Sequence, residues 1–187
     1  NPRNRFVKRV VDLVLGVPLL RLAGPIVVVS LIAVKARSPG KGMFYQVREG
    51  RGGRSFRMPK IRTMVPNAEA ELTDRLKGDS ELDDNWNMRY KLIDDPRVIP
   101  GVGTFLRRFS IDELPQLWNV LTGDMSLVGP RPVLVSEFQK TPSMANHPRF
   151  QAKPGLTGLW QISGRSNCTD DERLRLDFEY TRRRSFA

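Results

Sequence analysis

The sequence predicts an α+β protein, mostly helical, with a small antiparallel β-hairpin and an N-terminal re-entrant membrane helix. Three observations support this prediction. A long apolar run opens the chain, a glycine-centred alternating segment follows it, and short helical patterns punctuated by Pro and Gly fill the remainder. We expect residues 1–41 to form a membrane anchor with basic flanks and residues 42–187 to form a cytoplasmic domain.

The apolar run is long enough to cross a bilayer, but its interruptions favour a different path. Residues 10–34 contain 18 Ala, Val, Ile and Leu residues, and Asp12 and Arg21 are their charged members. A helix of this length would measure about 38 Å. Pro18 and Gly24-Pro25 interrupt it, and basic residues flank both ends, which places both ends on the cytoplasmic face. We therefore expect a helix that bends at Gly24-Pro25 and returns to the same face, with Arg21 reaching the interface or pairing with Asp12. A spanning helix and a soluble core helix are the alternatives.

The segment after the anchor alternates around a glycine-rich centre. Phe44 and Phe56 lie on either side of Glu49–Gly53 within Gly42–Met58, which predicts a β-hairpin. Five more helices are expected, over Pro66–Lys77, Glu81–Leu92, Thr104–Arg108, Ser110–Leu121 and Val133–Gln139, and a last helix is expected to start from a cap at Thr169. Between them we expect a turn at Asp94–Pro96, a rigid loop at Gly129–Pro132 and an irregular stretch over His147–Ser166.

The composition excludes several classes of protein. The 187 residues include one cysteine, Cys168, and one histidine, His147, so a disulfide framework, a His-rich metal site and a His-dependent triad are disfavoured. The net charge is +11, and the excess lies in residues 1–64, which hold 14 Lys and Arg residues against two acidic ones. A basic end of this kind indicates a membrane surface, a nucleic acid or an anionic ligand.

Two adjacent carboxylates are the leading candidates for chemistry. Ser110 and Glu113 have the spacing of a helix capping box, and Glu113 in that case only satisfies the helix start. Asp112 would then lie in the first helical turn, where the helix dipole stabilises its charge. Asp112 could alternatively attack phosphorus as a nucleophile, and the pair could hold a divalent cation such as Mg²⁺. The residues alone leave both readings open.

Cations and glycines supply candidate phosphate ligands. Lys60 and Arg62 lie on one short segment, and Arg131 is held between two prolines. Gly155, Gly158 and Gly164, followed by Arg165, would let a nucleotide approach the backbone. Their spacing matches neither a P-loop nor a dinucleotide-binding fingerprint.

Taken in chain order, these motifs resemble the bacterial sugar transferase family, whose members are monotopic phosphoglycosyl transferases. The motifs are Gln46-Val47-Arg48-Glu49-Gly50, Lys60-Ile61-Arg62-Thr63-Met64, Asp95-Pro96-Arg97, Leu106–Leu121, Gly123–Pro132 and Lys153–Arg165. The resemblance covers nearly the whole chain.

The resemblance implies a transfer reaction at the cytoplasmic face of the bacterial inner membrane. A UDP-sugar would give its sugar-1-phosphate to undecaprenyl phosphate through an aspartyl-phosphate intermediate, releasing UMP, as the first membrane step of capsule, exopolysaccharide or O-antigen assembly. It assigns the nucleophile to Asp112, an acid–base or metal role to Glu113, Mg²⁺ as cofactor, and phosphate binding to Lys60, Arg107 and Arg131. Arg62 and Arg165 are further expected substrate ligands.

The resemblance also bears on organisation and partners. Residues 42–187 become the catalytic domain, and the family's tail after the last helix is expected to be missing from it. The Leu159-Trp160-Gln161 variant weakly favours a hexose such as galactose or glucose. We expect no nucleic-acid partner, and a homo-oligomer is possible. A nucleic-acid-binding protein and a non-catalytic membrane scaffold are the competing functions; in the latter, Asp112 would be dispensable.

Overall fold

The computed structural model describes residues 2–68, 70, 72–73, 95–135, 147–163 and 170–183. The chain folds as two compact units, each assembled from separate stretches of sequence. The first unit comprises Asn1–Pro25, Tyr45–Lys60 and Glu113–Ala187, and the second comprises Ile26–Phe44 and Ile61–Asp112.

The apolar run forms one long helix, α1, over Pro2–Arg37, with Pro18 and Pro25 inside it. By length and composition, α1 is able to cross a membrane: its mean hydropathy reaches 2.2 and most of it faces outward. Ser30, which is buried, donates its hydroxyl to the Ile26 carbonyl at 2.7 Å, so its polar group is satisfied within the helix.

The predicted hairpin is present and gains a third strand. Strand β1 covers Met43–Glu49, a 3-10 turn covers Arg51–Gly53, and β2 covers Ser55–Ile61. On the other edge of β1 lies antiparallel β4, Val133–Leu134, with Glu49 opposite Val133. The predicted helix over Val133–Gln139 is therefore wrong at its start, where the chain pairs with β1; residues 136–139 lie outside the described range.

The second unit is built on an apolar cluster. Four side chains from distant parts of the sequence are almost fully buried in it: Val34, Ile61, Ile99 and Leu106. Helix α2, Val102–Arg108, packs closely against residue 63, because a Cβ at Gly103 would lie 2.6 Å from the Thr63 carbonyl oxygen. The prediction of a helix over Thr104–Arg108 is confirmed, with a start two residues earlier.

The first unit has its own core, in which Met58, Val120 and Met125 are buried. The predicted helix over Ser110–Leu121 is a 3-10 turn, Ile111–Gln116, followed by helix α3, Leu117–Thr122. Pro115 lies inside the 3-10 turn and has no backbone N–H to donate, which accounts for the break in regular α-helix.

The stretch predicted to be irregular contains regular elements over its described residues, 147–163. It contains a 3-10 turn over Pro148–Gln151, strand β5 over Gly155–Thr157 and helix α4 over Leu159–Ile162. Strand β5 runs parallel to β3, Ser126–Val128, so a second small sheet forms that the sequence did not predict. Three-residue strands are too short to show an alternating pattern.

The last helix, α5, covers Asp170–Arg183, as predicted, while its proposed cap Thr169 lies outside the described residues. The predicted helix Glu81–Leu92 also lies outside them, as does half of Pro66–Lys77, whose described residues 68, 70, 72 and 73 are helical. The predicted turn is present at Asp95, whose carbonyl accepts the Val98 N–H at 3.0 Å.

Candidate active site

The two candidate carboxylates lie on a tight turn with an unusual entry. Asp112 and Glu113 are consecutive, half-buried residues of the 3-10 turn Ile111–Gln116. The residue that leads into it, Ser110, has φ of +56°, a left-handed conformation that non-glycine residues rarely adopt. Strained backbone of this kind is concentrated at functional sites, because the surrounding structure has to hold it.

The capping-box interpretation of Ser110 and Glu113 is wrong. An N-cap residue is normally extended, whereas Ser110 is left-handed, and its N–H donates to the Arg107 carbonyl at 3.2 Å. The Glu113 side chain instead accepts a hydrogen bond from Lys60. Glu113 is therefore available for chemistry.

Lys60 and Glu113 form an ion pair that links β2 to the carboxylate turn. The Lys60 ammonium Nζ lies 2.7 Å from Glu113 Oε1, and the two side chains are 18% and 30% exposed. A partly buried lysine of this kind fixes the carboxylate and adds positive charge where an anion would bind. The sequence indicated both residues, but not their contact, since 53 positions separate them.

Two further predicted ligands, Arg62 and Arg107, lie in the second unit with Asp112. Arg107 donates from Nε to the Thr63 hydroxyl at 2.9 Å. Burial raises the pKa of Asp95, but the hydrogen bonds and charge of Arg97, together with the charge of Arg107, lower it by more. Arg107 thus has an orienting partner and an exposed side chain.

Arg62 forms structural hydrogen bonds near the end of α1. Its two terminal nitrogens donate to the carbonyls of Pro39 and Ser38 at 2.6 and 2.9 Å, directly after the end of α1. These bonds satisfy carbonyls near a helix C-terminus, where a cation is also favoured by the helix dipole. Its binding of substrate phosphate stays a prediction.

Arg131 is exposed on the loop between β3 and β4, and buried charges hold its backbone. Its carbonyl accepts from Arg149 Nη2 at 2.9 Å, and its backbone N–H bonds to Asp177. Asp177 is 2% exposed and pairs with Arg149 at 2.8 Å. Burial raises the pKa of Asp177 to about 6, against the opposing influence of Arg149 and Arg131. Local sequence patterns did not predict this arrangement.

The glycines proposed to admit a nucleotide have another role. A Cβ at Gly155 would lie 2.1 Å from the Gly129 nitrogen, and one at Gly158 would lie 2.3 Å from the Gly129 carbonyl oxygen. These glycines therefore allow the backbones of β5 and the Gly129–Pro132 loop to meet. Gly164 and the candidate ligand Arg165 lie outside the described residues.

Asp12 is anchored away from Arg21. Asp12 is 3% exposed and accepts from the Ser126 hydroxyl and the Leu127 N–H at 3.0 and 3.1 Å. Its cation is Lys8, at 3.5 Å. The expected pairing with Arg21, whose side chain is exposed, is therefore wrong, and the buried aspartate instead ties α1 to β3.

The carboxylate turn offers two candidate metal ligands, Asp112 and Glu113. Among the described residues, no group of three or more His, Cys, Asp or Glu side chains could hold an ion. Asp112 and Glu113 supply two carboxylates in succession. Mg²⁺ commonly takes one or two protein carboxylates and completes its octahedron with water and substrate phosphates. The donor set fits a magnesium ion that arrives with, or is completed by, a phosphate-bearing substrate.

Comparison with known proteins places the sequence in one family. The pattern of the family described as "Bacterial sugar transferase" matches residues 3–187. The chain is 42% identical to a UDP-galactose-lipid carrier transferase of Erwinia amylovora, covering 96% of this chain and 37% of that protein. It is 41% identical to an undecaprenyl-phosphate galactose phosphotransferase of Salmonella typhimurium, with the same coverage.

A shorter relative is matched over more of its length. The exopolysaccharide production protein ExoY of Sinorhizobium fredii is 38% identical over 96% of this chain and 78% of that protein. By contrast, the chain spans little more than a third of the first two relatives. The match over residues 3–187 includes the apolar helix, the hairpin and the carboxylate turn, and the chain therefore belongs to the bacterial sugar transferase family.

Proposed function

We propose that this chain catalyses transfer of a hexose-1-phosphate from a UDP-sugar to undecaprenyl phosphate. The observation that carries the proposal is the strained turn bearing Asp112 and Glu113, with Lys60 held 2.7 Å from Glu113, in a chain of this family. The names of the relatives supply the substrate classes, because two of them are called UDP-glucose:undecaprenyl-phosphate glucose-1-phosphate transferases. The product would begin a capsule, exopolysaccharide or O-antigen.

The chemistry takes two displacements at one phosphorus atom. An oxygen of the Asp112 carboxylate forms a bond to the β-phosphorus of the UDP-sugar, and the bond from that phosphorus to the bridging oxygen breaks, so UMP leaves with the electron pair. A phosphate oxygen of undecaprenyl phosphate then attacks the aspartyl-phosphate, forming a diphosphate and restoring the Asp112 carboxylate. The first step requires an unprotonated Asp112, the second releases it as a carboxylate, and both require neutralisation of phosphate charge.

The neighbouring residues serve these displacements. Lys60 holds Glu113 and contributes positive charge beside it. Glu113 is placed to accept or return a proton, or to share a cation with Asp112. Arg107 and Arg131 are exposed guanidiniums with fixed surroundings, suited to bidentate binding of phosphate oxygens. Mg²⁺, bound by Asp112 and Glu113, would supply further neutralisation of the diphosphate.

The anchor helix is proposed to enter and leave on the cytoplasmic face. Near its start, Asp12 contacts residues 126–127; near its end, Val34 packs against Ile61, Ile99 and Leu106. The chain between these two sets of partners, residues 107–125, includes two arginines and three acidic residues. A segment with these charges is costly to place across a bilayer, which supports the proposal that both ends of α1 lie on one face.

An assay of UMP release tests the activity. Full-length protein would be incubated with undecaprenyl phosphate, Mg²⁺ and a panel of UDP-sugars that includes UDP-galactose and UDP-glucose. We expect UMP from at least one UDP-hexose and none from the Asp112→Asn variant. Failure of every UDP-sugar, with the protein folded and membrane-bound, would refute the proposal.

A further inference from the structure

A polar cleft lies within the first unit, outside the residues assigned to catalysis. Its volume is about 780 Å³. One wall is the turn between β1 and β2, and the other is the segment after α3 together with one lysine. The residues lining it are Gly50, Arg51, Gly52, Arg54, Ser55, Phe56, Gly123, Asp124 and Lys153.

The charge of the cleft is predominantly positive. Arg51, Arg54 and Lys153 line it with a single carboxylate, Asp124, which already accepts from the Thr122 hydroxyl at 2.9 Å. Within the described ranges, no carboxylate forms an ion pair with Lys153. The three cations among the lining residues outnumber the one carboxylate, so the side chains that line the cleft carry a net positive charge.

Lys153 is a half-buried cation of this cleft. Burial lowers its pKa, and the nearby charges of Arg9 and Arg51 lower it further, against the opposing influence of Asp12 and Asp124. An anion placed beside the ammonium would relieve both effects, because it would offset the repulsion and replace lost hydration.

A glycine keeps the cationic end of the cleft open. Gly123 has φ of +93°, and a Cβ there would lie 3.2 Å from Lys153 Nζ and 3.5 Å from an Arg9 guanidinium nitrogen. Arg9 comes from α1 and donates to the carbonyls of Val120 and Leu121 at the end of α3. The cleft therefore reaches the point where the membrane helix meets the first unit.

The cleft is separate from the carboxylate turn. Phe56 lines the cleft near the start of β2, whereas Lys60, four residues later on that strand, contacts Glu113. Four residues of extended strand span about 13 Å. A single phosphate group is too small to touch both ends.

We propose that this cleft is a second anion site, which binds a phosphate group at the level of the membrane surface. Arg9 borders the cleft, and apolar side chains of α1 are exposed on both sides of it in the sequence: Phe6 and Val7 before it, and Val10 and Val11 after it. The cationic cleft thus lies beside an exposed apolar surface, which is the arrangement that the phosphate of an anionic lipid headgroup requires. Free phosphate has the same chemistry, and the experiment separates the two sources.

Titration of the full chain in neutral detergent at low ionic strength tests the site. The probes are inorganic phosphate, dihexanoyl phosphatidylglycerol and, as the neutral-headgroup comparison, dihexanoyl phosphatidylcholine. Binding is measured by isothermal titration and by the shift of the thermal unfolding midpoint. The variants are Arg54→Gln, at an exposed side chain, and Lys153→Gln. Arg175→Gln on α5 removes the same charge elsewhere and serves as the control.

We expect saturable binding of inorganic phosphate or phosphatidylglycerol that each cleft variant weakens about tenfold or more and that Arg175→Gln leaves unchanged. Tighter binding of phosphatidylglycerol than of inorganic phosphate identifies a lipid headgroup, and equal binding identifies free phosphate. Absence of saturable binding, or equal binding by all variants, would overturn the proposal. Asp112→Asn should bind as wild type, so failure of the transferase proposal would not be mistaken for failure of this one.

Discussion

Asp177 and Arg149 form a buried ion pair that holds the backbone of Arg131 from both sides. The pair distance is 2.8 Å, Asp177 receives the Arg131 N–H, and Arg149 donates to the Arg131 carbonyl. Helix α5 thereby fixes the position of a predicted phosphate ligand. A buried carboxylate with a raised pKa makes this arrangement sensitive to pH.

The pH dependence of stability should carry the signature of Asp177. Its pKa is about 6 in the folded chain and near 3.8 when unfolded, so its contribution is fully present below about pH 4 and is lost as pH rises through 6. Relative to Asp177→Asn, the free energy of unfolding of wild type should fall by about 2–3 kcal/mol between pH 4 and 7. Denaturant titrations across this range measure it. If the free energy of unfolding of wild type instead rose relative to that of Asp177→Asn with increasing pH, the pairing with Arg149 would outweigh burial.

Removing one member of the pair should be worse than removing both. Arg149→Leu leaves the Asp177 carboxylate buried without its cation, which typically costs about 3–5 kcal/mol. Arg149→Leu/Asp177→Leu should recover part of that loss, and a double-mutant cycle quantifies the coupling. Independent, additive effects of the two changes would contradict the described pair.

Local patterns predicted the elements that extend over many residues, and they did not predict contacts over long distances. The apolar helix, the hairpin, the helix ending at Arg108 and the last helix could be recognised, because each has its own periodicity or punctuation. Strands β3, β4 and β5 were missed because two or three residues show no period. The break in the helix at Pro115 was underestimated, although proline was visible.

The candidate site likewise contains residues that the sequence predicted and contacts that it did not predict. Asp112, Glu113 and Lys60 were identified by residue type and by family motif, but the Lys60–Glu113 bond joins residues whose meeting depends on the whole fold. The roles of Asp12, Arg62 and Asp177 were hidden for that reason. The one available signal was a charge amid apolar residues, since such a charge requires a partner.

The close approach at Gly103 predicts a steric effect on stability. Gly103→Ala would push a methyl group to 2.6 Å from the Thr63 carbonyl oxygen and 2.9 Å from Val98, and neither can move freely. We expect a loss of about 1–3 kcal/mol in the free energy of unfolding. Thr104→Ala, at an exposed position on the same helix, is the control and should change stability by about 0.5 kcal/mol or less. Equal effects of the two variants would refute the close packing.

The path of α1 is testable by chemical labelling. Single-cysteine variants at Arg3 and Lys41, on a Cys168→Ser background, should be labelled from the cytoplasmic face alone. Labelling on opposite faces would establish a spanning helix instead.

Pro25→Leu lengthens the uninterrupted apolar run and restores a backbone N–H, so it should shift the helix toward a spanning topology and lower the transfer rate.

The central claim, that Asp112 is a nucleophile, is tested most directly by trapping. Wild-type protein would be incubated with a UDP-sugar and Mg²⁺ without undecaprenyl phosphate, digested, and its peptides weighed by mass spectrometry. The account predicts one added sugar-phosphate mass on the peptide that contains Asp112, stoichiometric UMP release, and neither in Asp112→Asn. An adduct on another residue, or UMP release that requires both substrates, would contradict the covalent mechanism.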